Sequence, residues 1–247
     1  MIRVALFDLD DCLFAHREAV DDGVLATLAT MERDADAPPE AEELARWREL
    51  EEHHYHRYLS GELDYQGQRR ARVHAFLRPY GLRLDDRAAE AWFEEYATRY
   101  RSAFRLHADA LPCLDTLEQR IPGVRFGIIT NGDLAFQTAK LEALGIEQRF
   151  THLITSGELG VAKPDPRIFE IAAERFGLRP EECVYIGDRL GTDAIGAAKA
   201  GMTGVWLDRG RVAAQPADVA EARRLGVPVL NGLGELPGLL LDRTEAA

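Results

Sequence analysis

Four stretches of this 247-residue chain set groups capable of nucleophilic attack, proton transfer or ion binding directly after short apolar runs. Residues 7–11 read Phe-Asp-Leu-Asp-Asp, so Asp8 and Asp10 are two apart with Asp11 beside them. Residues 128–132 end in Thr130-Asn131-Gly132. Lys163 lies in Gly160-Val161-Ala162-Lys163-Pro164-Asp165, and Gly187-Asp188 is followed by Asp193. Brought together, these are carboxylates, a hydroxyl and one ammonium. Two carboxylates about 4 Å apart repel by roughly 4 kcal/mol at an effective dielectric near 20. Protonation or a hard divalent cation removes that cost. An oxygen-only donor set favours Mg2+, which takes one or two carboxylates, waters and a substrate phosphate. The lysine and the Thr130 hydroxyl then fit as groups that grip phosphate oxygens.

What must bring these groups together is a sheet. Residues 3–8 (RVALFD), 125–130 (RFGIIT), 152–155, 183–187 (CVYIG) and 204–208 (GVWLD) are short apolar runs of the kind buried on both faces, with 227–230 as a sixth candidate. Helical segments separate them. Asp133 caps 134–144 before Gly145, Asp165-Pro166 opens 167–176 before Gly177, and Thr192 caps 193–200 before Gly201. Strand and helix in alternation predict a doubly wound, Rossmann-like α/β parallel sheet. Sites in such sheets form at the carboxyl ends of the strands, where the four stretches stand. Residues 17–104 break the alternation. They carry no convincing strand and show helical apolar spacing over 41–59 and 88–104. The expected organisation is an α/β core of residues 1–16 and 105–247 with an inserted all-helical cap of residues 17–104. Residues 34–43, acidic with Pro38-Pro39, read as a loop.

Composition narrows the partners. Asp and Glu number 42 against 30 Lys and Arg, a net charge of -12, which repels nucleic acid phosphates and anionic membranes. No apolar run approaches the roughly 20 residues of a spanning helix, and the first run is too short for a signal peptide. A cytoplasmic protein that binds neither nucleic acid polymers nor membrane is expected. Cys12, Cys113 and Cys183 are odd in number and widely spaced, with neither a disulfide framework nor a zinc pattern. Of the 30 cations only Lys140, Lys163 and Lys199 are lysines, leaving 27 arginines. A lysine at 163 therefore hints that a compact ammonium is wanted there.

The order and spacing of FDLDDCL (7–13), IITNG (128–132), VAKPDPRIF (161–169) and YIGDRLGTD (185–193) resemble the phosphatases of the haloacid dehalogenase-like superfamily that carry a helical cap after the first motif. The resemblance spans the whole core. It implies a Mg2+-dependent phosphomonoester hydrolase acting on a small phosphorylated metabolite, of the nucleotide or sugar phosphate class, as a monomer or homodimer. A cap of this kind closes over the site and excludes bulky substrates. Position by position, Asp8 resembles the nucleophile that forms an aspartyl-phosphate. Asp10 resembles the general acid for the leaving alcohol and then the base for water. Asp8, the backbone carbonyl of Asp10 and Asp188 are the implied metal ligands, with Asp193 orienting a metal-bound water or the lysine. Thr130, the amides near Asn131 and Gly132, and Lys163 are implied to hold the phosphoryl group. The usual Gly-Thr after the second Asp is replaced here by Asp11-Cys12. Adjacent acids match a subgroup that includes many nucleotide and small-metabolite phosphatases, while Cys12 removes a hydroxyl near the nucleophile.

Other readings compete. A dehalogenase of the same fold needs one nucleophilic Asp and no metal, which leaves Asp10 and Asp188 unexplained. A phosphomutase uses the same Asp pair. Phospho-acceptor receiver domains order their motifs differently, and a binding module without turnover has no need of both Asp8 and Asp10. Among single residues, Asp165 reads as a helix cap, Lys140 and Lys199 as solvated, and Cys12 as a buried inert thiol. His53, His54 and His56 read as polar cap surface, since adjacent histidines on a helix point apart. In the cap, the turn at 60–65 followed by Arg69 and Arg72 is the specificity candidate. Pairing of those arginines with cap acids is the competing reading.

Overall fold

The computed structural model of the chain describes residues 2–31, 38–211 and 213–245. Six parallel strands form one sheet: β1 Val4–Phe7, β2 Arg125–Thr130, β3 His152–Thr155, β4 Cys183–Gly187, β5 Thr203–Leu207 and β6 Val229–Leu230. Their order is β3-β2-β1-β4-β5-β6. All four residues of β1 and all five of β4 are buried, as continuous apolar runs in a covered parallel sheet must be. The sixth strand is shorter than expected. Only Trp206↔Val229 and Leu207↔Leu230 pair there, and Val229 is 49% exposed at the sheet edge. Strand β1 is central, with β2 on one side and β4 on the other. The strand order reverses at that point, which opens a crevice at the carboxyl ends.

The chain divides into two compact units, Met1–Ala15 with Arg105–Ala247, and His16–Phe104. The second unit is helical among its described residues: α1 His16–Leu28, α2 Glu40–Leu59, α3 Tyr65–Leu77 and α4 Asp86–Ser102. Residues 34–37 of the expected loop lie outside the described residues, and Pro39 caps α2. Asp64 and Asp85 cap α3 and α4 by accepting the Gly67 and Ala88 amides. Trp47 anchors the interior, with ring centroids 4.6 Å from Tyr96 and 4.9 Å from Phe76. Gly23 lets α1 approach α4, because a Cβ there would lie 3.0 Å from Tyr100 Cα.

Arg69 and Arg72 are occupied inside this unit. Arg72 is buried and donates to Glu51 at 2.6 Å and to Gln68 at 2.9 Å. Arg69 pairs with Glu94 at 3.1 Å and lies over the Tyr65 ring. Pairing with cap acids is thus what the structure displays. His53 and His56 are exposed, but His54 is buried, against the surface reading. Burial first, then neighbouring His53, pushes its imidazole down to about 4. None of the three belongs to a metal-capable cluster among the described residues.

In the first unit, α5 is Ala110–Arg120, α6 Leu134–Leu144, α7 Ser156–Leu159, α8 Pro166–Arg175, α9 Gly196–Lys199, α10 Pro216–Leu225 and α11 Leu236–Glu245. Alternate strand residues Val4, Leu6, Ile129 and Tyr185 pack with Ile168, Phe169 and Ala172 of α8 and Ala197 of α9. Ala5 and Phe7 take the opposite face by strand alternation, where Phe7 meets Phe126 edge-on at 6.1 Å. Asp133 caps α6 by accepting from the Phe136 amide at 3.0 Å, and Gly145 ends it at φ 67°. Asp165 caps α8 through the Arg167 amide at 3.0 Å.

Thr192 does not cap a helix. A π-helical turn, Leu190–Ile195, precedes α9. Asp193 within it turns back to accept the Arg189 amide at 2.9 Å, which starts the turn before Thr192. Such turns are frequent at functional sites. Among the described residues, no helix is long and apolar enough to cross a membrane.

Candidate active site

The loop after β1 presents Asp8 and Asp10. The Asp8 amide donates to Ile186 O at 2.8 Å, and Leu13 and Phe14 fold back onto Leu9 O at 3.1 and 2.9 Å. Asp11 has φ 59°, the left-handed region that favours glycine and that Asp tolerates better than most residues. The turn therefore explains why Gly was the expected residue there. Cys12 is wholly buried, its Sγ 3.6 Å from Ile186 O. Burial, then Asp8, raises its thiol well above the ordinary range, as suits an inert sulfur. Arg209 ties this loop down, donating to Cys12 O at 3.0 Å while pairing with Asp109 at 2.9 Å.

Lys163 reaches the centre from the segment after α7. Its Nζ lies 2.8 Å from Asp8 Oδ1 and 2.8 Å from Asp193 Oδ1, and it donates to the Tyr185 hydroxyl at 2.8 Å. Tyr185 in turn lies 3.0 Å from Ile129 O. The Asn131 side chain clamps the lysine's backbone, accepting from Lys163 N at 2.9 Å and donating to Lys163 O at 3.0 Å. The Gly132 amide, expected among the phosphoryl donors, donates to Ser156 Oγ at 3.0 Å and is already used inside the fold. Thr130 is buried at the end of β2.

Asp188 stands at the end of β4, its carbonyl accepting from Trp206 Nε1 at 3.0 Å. Asp193 sits beneath, its second oxygen on the Arg189 amide. Gly187 permits that approach, because a Cβ would come within 2.4 Å of Asp193 Cγ. Asp8, Asp188 and Asp193 each offer an oxygen within 4.8 Å of the others. Burial pushes the Asp8 carboxyl up to about 7, with Lys163 opposing and Asp193 adding. Burial, then Asp193 and Asp8, pushes Asp188 up to about 8. Burial works against the Lys163 charge, but Asp193 and Asp8 outweigh it and hold the ammonium above the usual lysine range. Two buried carboxylates, Asp8 and Asp193, share the Lys163 ammonium, and the partly buried Asp188 adds a third negative charge beside them. The donor chemistry and the missing positive charge both fit a divalent cation with oxygen ligands. Asp8 and Asp188 are placed to hold it. Asp193, which the resemblance gives as orienting a metal-bound water or the lysine, holds Lys163 Nζ with one oxygen and the Arg189 amide with the other.

Lys140 corrects the sequence reading. It is not solvated but 1% exposed, with Nζ 2.5 Å from Asp10 Oδ1. Gln137, one turn earlier on α6, donates to Asp10 Oδ2 at 3.3 Å and to Thr130 Oγ1 at 3.1 Å. Tyr185, Gln137 and Lys140 are the site residues that sequence reasoning missed. Lys140 carried one signal, the scarcity of lysine in this chain. Lys199 is half-exposed and pairs with Glu221 at 3.1 Å.

Residues 2–201 match the family model described as haloacid dehalogenase-like hydrolase. Glyceraldehyde 3-phosphate phosphatase of Methanopyrus kandleri is 33% identical over 212 residues, 85% of this chain and 86% of that one. Phosphoserine phosphatase of Thermus thermophilus is 39% identical over 122 residues, which spans 49% of this chain and 46% of that relative. The crystal structure of the HAD-hydrolase YfnB from Bacillus subtilis, bound to magnesium, superposes with a TM-score of 0.74 at 21% identity, covering 97% of this chain and 98% of that one.

Proposed function

The chain belongs to the haloacid dehalogenase-like hydrolases and is a phosphatase of that family; we propose that it hydrolyses a small phosphorylated metabolite, with Mg2+, through a phosphoryl group carried on Asp8. The observation that carries this reading is the ion pair of Asp8 with Lys163 beside the Asp188 carboxylate, at the end of the central strand. An Asp8 oxygen attacks phosphorus, and the P–O bond to the leaving alcohol breaks. Asp10 donates a proton to the departing oxygen. Asp10, now a carboxylate, takes a proton from water, which attacks the acyl phosphate and releases inorganic phosphate and free Asp8. Lys163 and Thr130 supply fixed donors to the phosphoryl oxygens, and Asp193 with Tyr185 keeps the lysine aimed. Held by Asp8, Asp188 and the Asp10 carbonyl, Mg2+ would screen the nucleophile from its anionic substrate.

The names of the relatives favour small monoesters, and a charge of -12 disfavours polymeric nucleic acids and anionic membranes as partners. Three free, buried cysteines suit a reducing, cytoplasmic setting. The rival within the fold, 2-haloacid dehalogenation, leaves Asp188 and the held Asp10 without a task. A panel of phosphorylated metabolites and 2-haloacids, assayed with Mg2+ and with a chelator, tests the reading. Phosphate release that requires Mg2+ is expected. Halide release that survives the chelator, with no phosphate release from any ester, would overturn it.

A further inference from the structure

Helix α6 carries two buried polar side chains that touch Asp10 rather than the phosphoryl-binding groups alone. Lys140 Nζ lies 2.5 Å from Asp10 Oδ1, and Gln137 Nε2 lies 3.3 Å from Asp10 Oδ2. Three residues apart, they share one helix face. Burying an ammonium is costly unless it is paired. Here the ammonium meets the Asp10 carboxylate and the rings of Phe14 and Phe136, whose centroids are 4.9 and 5.1 Å away. The Asp10 side chain itself is 30% exposed, so it is the reachable member of the pair. Gln137 also joins Asp10 to Thr130, and Gly132 makes room for it, because a Cβ there would lie 2.8 Å from Gln137 Nε2.

We infer that Lys140, together with Gln137, is a positioning residue for proton transfer: it fixes the Asp10 carboxyl group in the orientation that serves first the leaving oxygen and then water. The inference rests on the function proposed above, in which Asp10 moves that proton. A carboxylate has about four lone-pair sites. One contact on each oxygen fixes its plane. Such fixing matters because a misplacement of about 1 Å costs on the order of 10²-fold in rate.

The test uses the full chain with Lys140→Met, an apolar chain of similar length. The kcat/KM values for phenyl phosphate and 4-nitrophenyl phosphate are measured on one preparation. This parameter covers the steps up to phosphoryl transfer onto Asp8, and phenolate needs protonation more than 4-nitrophenolate does. Their ratio is independent of the fraction of protein that is folded. The ratio of phenyl to 4-nitrophenyl ester is expected to fall about tenfold or more relative to wild type. Lys140→Gln, which keeps a donor on the same helix face, is expected to show a smaller fall. An unchanged ratio in both variants, whether both esters slow equally or neither slows, would overturn the inference. A wild-type enzyme that releases phosphate from neither ester nor from any phosphorylated metabolite would overturn the proposed function instead.

Discussion

Asp11 shows how a single backbone angle shapes the nucleophile's loop. At φ 59° it occupies a region that costs most L-residues about 1–2 kcal/mol. Asp11→Gly is expected to leave stability equal to or above wild type, whereas Asp11→Val, with a branched Cβ, is expected to lose about 1–3 kcal/mol. Urea unfolding midpoints read the difference, and a Val variant as stable as the Gly variant would contradict this account of the turn. At this scale the sequence was legible where chemistry ends a strand. Asp8, Thr130 and Asp188 each follow an apolar run, so their placement followed from the sheet. Lys140 and Gln137 were not legible, because α6 inverts the usual pattern. It buries those two polar residues, while Leu134 and Phe136 are 39% and 36% exposed. An amphipathic reading therefore points the wrong face inward.

Between elements, the approach of β5 to the π-helical turn holds Asp193 in place. A Cβ on Gly204 would come within 2.0 Å of Ala194 O. Backbone cannot move aside as a flexible side chain can, so Gly204→Ala is expected to destabilise the protein by about 1–3 kcal/mol. It is also expected to lower kcat, because Asp193 rides on the displaced turn. Thermal unfolding and steady-state kinetics on one preparation check both effects, and an alanine variant with wild-type Tm would contradict the close packing. The other elements were unevenly readable. Strands β2 and β4 match their apolar runs because burial on both faces leaves a nearly unbroken signal, whereas the edge strand β3 keeps His152 and Leu153 only partly buried. The turn at Leu190–Ile195 was not readable, since a carboxylate that caps from within looks like an ordinary first-turn acid. Helices α1 and α3 were folded into a general expectation of helix, because their apolar residues serve an aromatic interior whose geometry no spacing rule specifies.

For the whole molecule, the -12 charge becomes local at the site, where three carboxylates cluster and two of them meet one ammonium. Burial raises Asp8 to about 7 and Asp188 to about 8 from an ordinary 3.8. Without metal, each proton is held more tightly by the folded chain than by the unfolded one. That contribution to stability is complete below about pH 4 and is lost as pH rises through 7 and 8, at up to about 1.4 kcal/mol per pH unit for each group. The Tm of chelator-treated protein is therefore expected to fall from about pH 5 to 9 more steeply than that of Asp188→Asn. Mg2+ is expected to raise the wild-type Tm at the alkaline end by binding the folded state alone. Identical pH slopes for the two proteins, or no Mg2+ effect, would contradict this balance of charge. The central claim is that Asp8 carries the phosphoryl group, and the most direct test is to quench turnover of a 32P-labelled monoester in acid and map the labelled peptide. The account predicts label on the peptide containing Asp8, with neither label nor turnover in Asp8→Asn. Label on another residue, or undiminished turnover by Asp8→Asn, would contradict it.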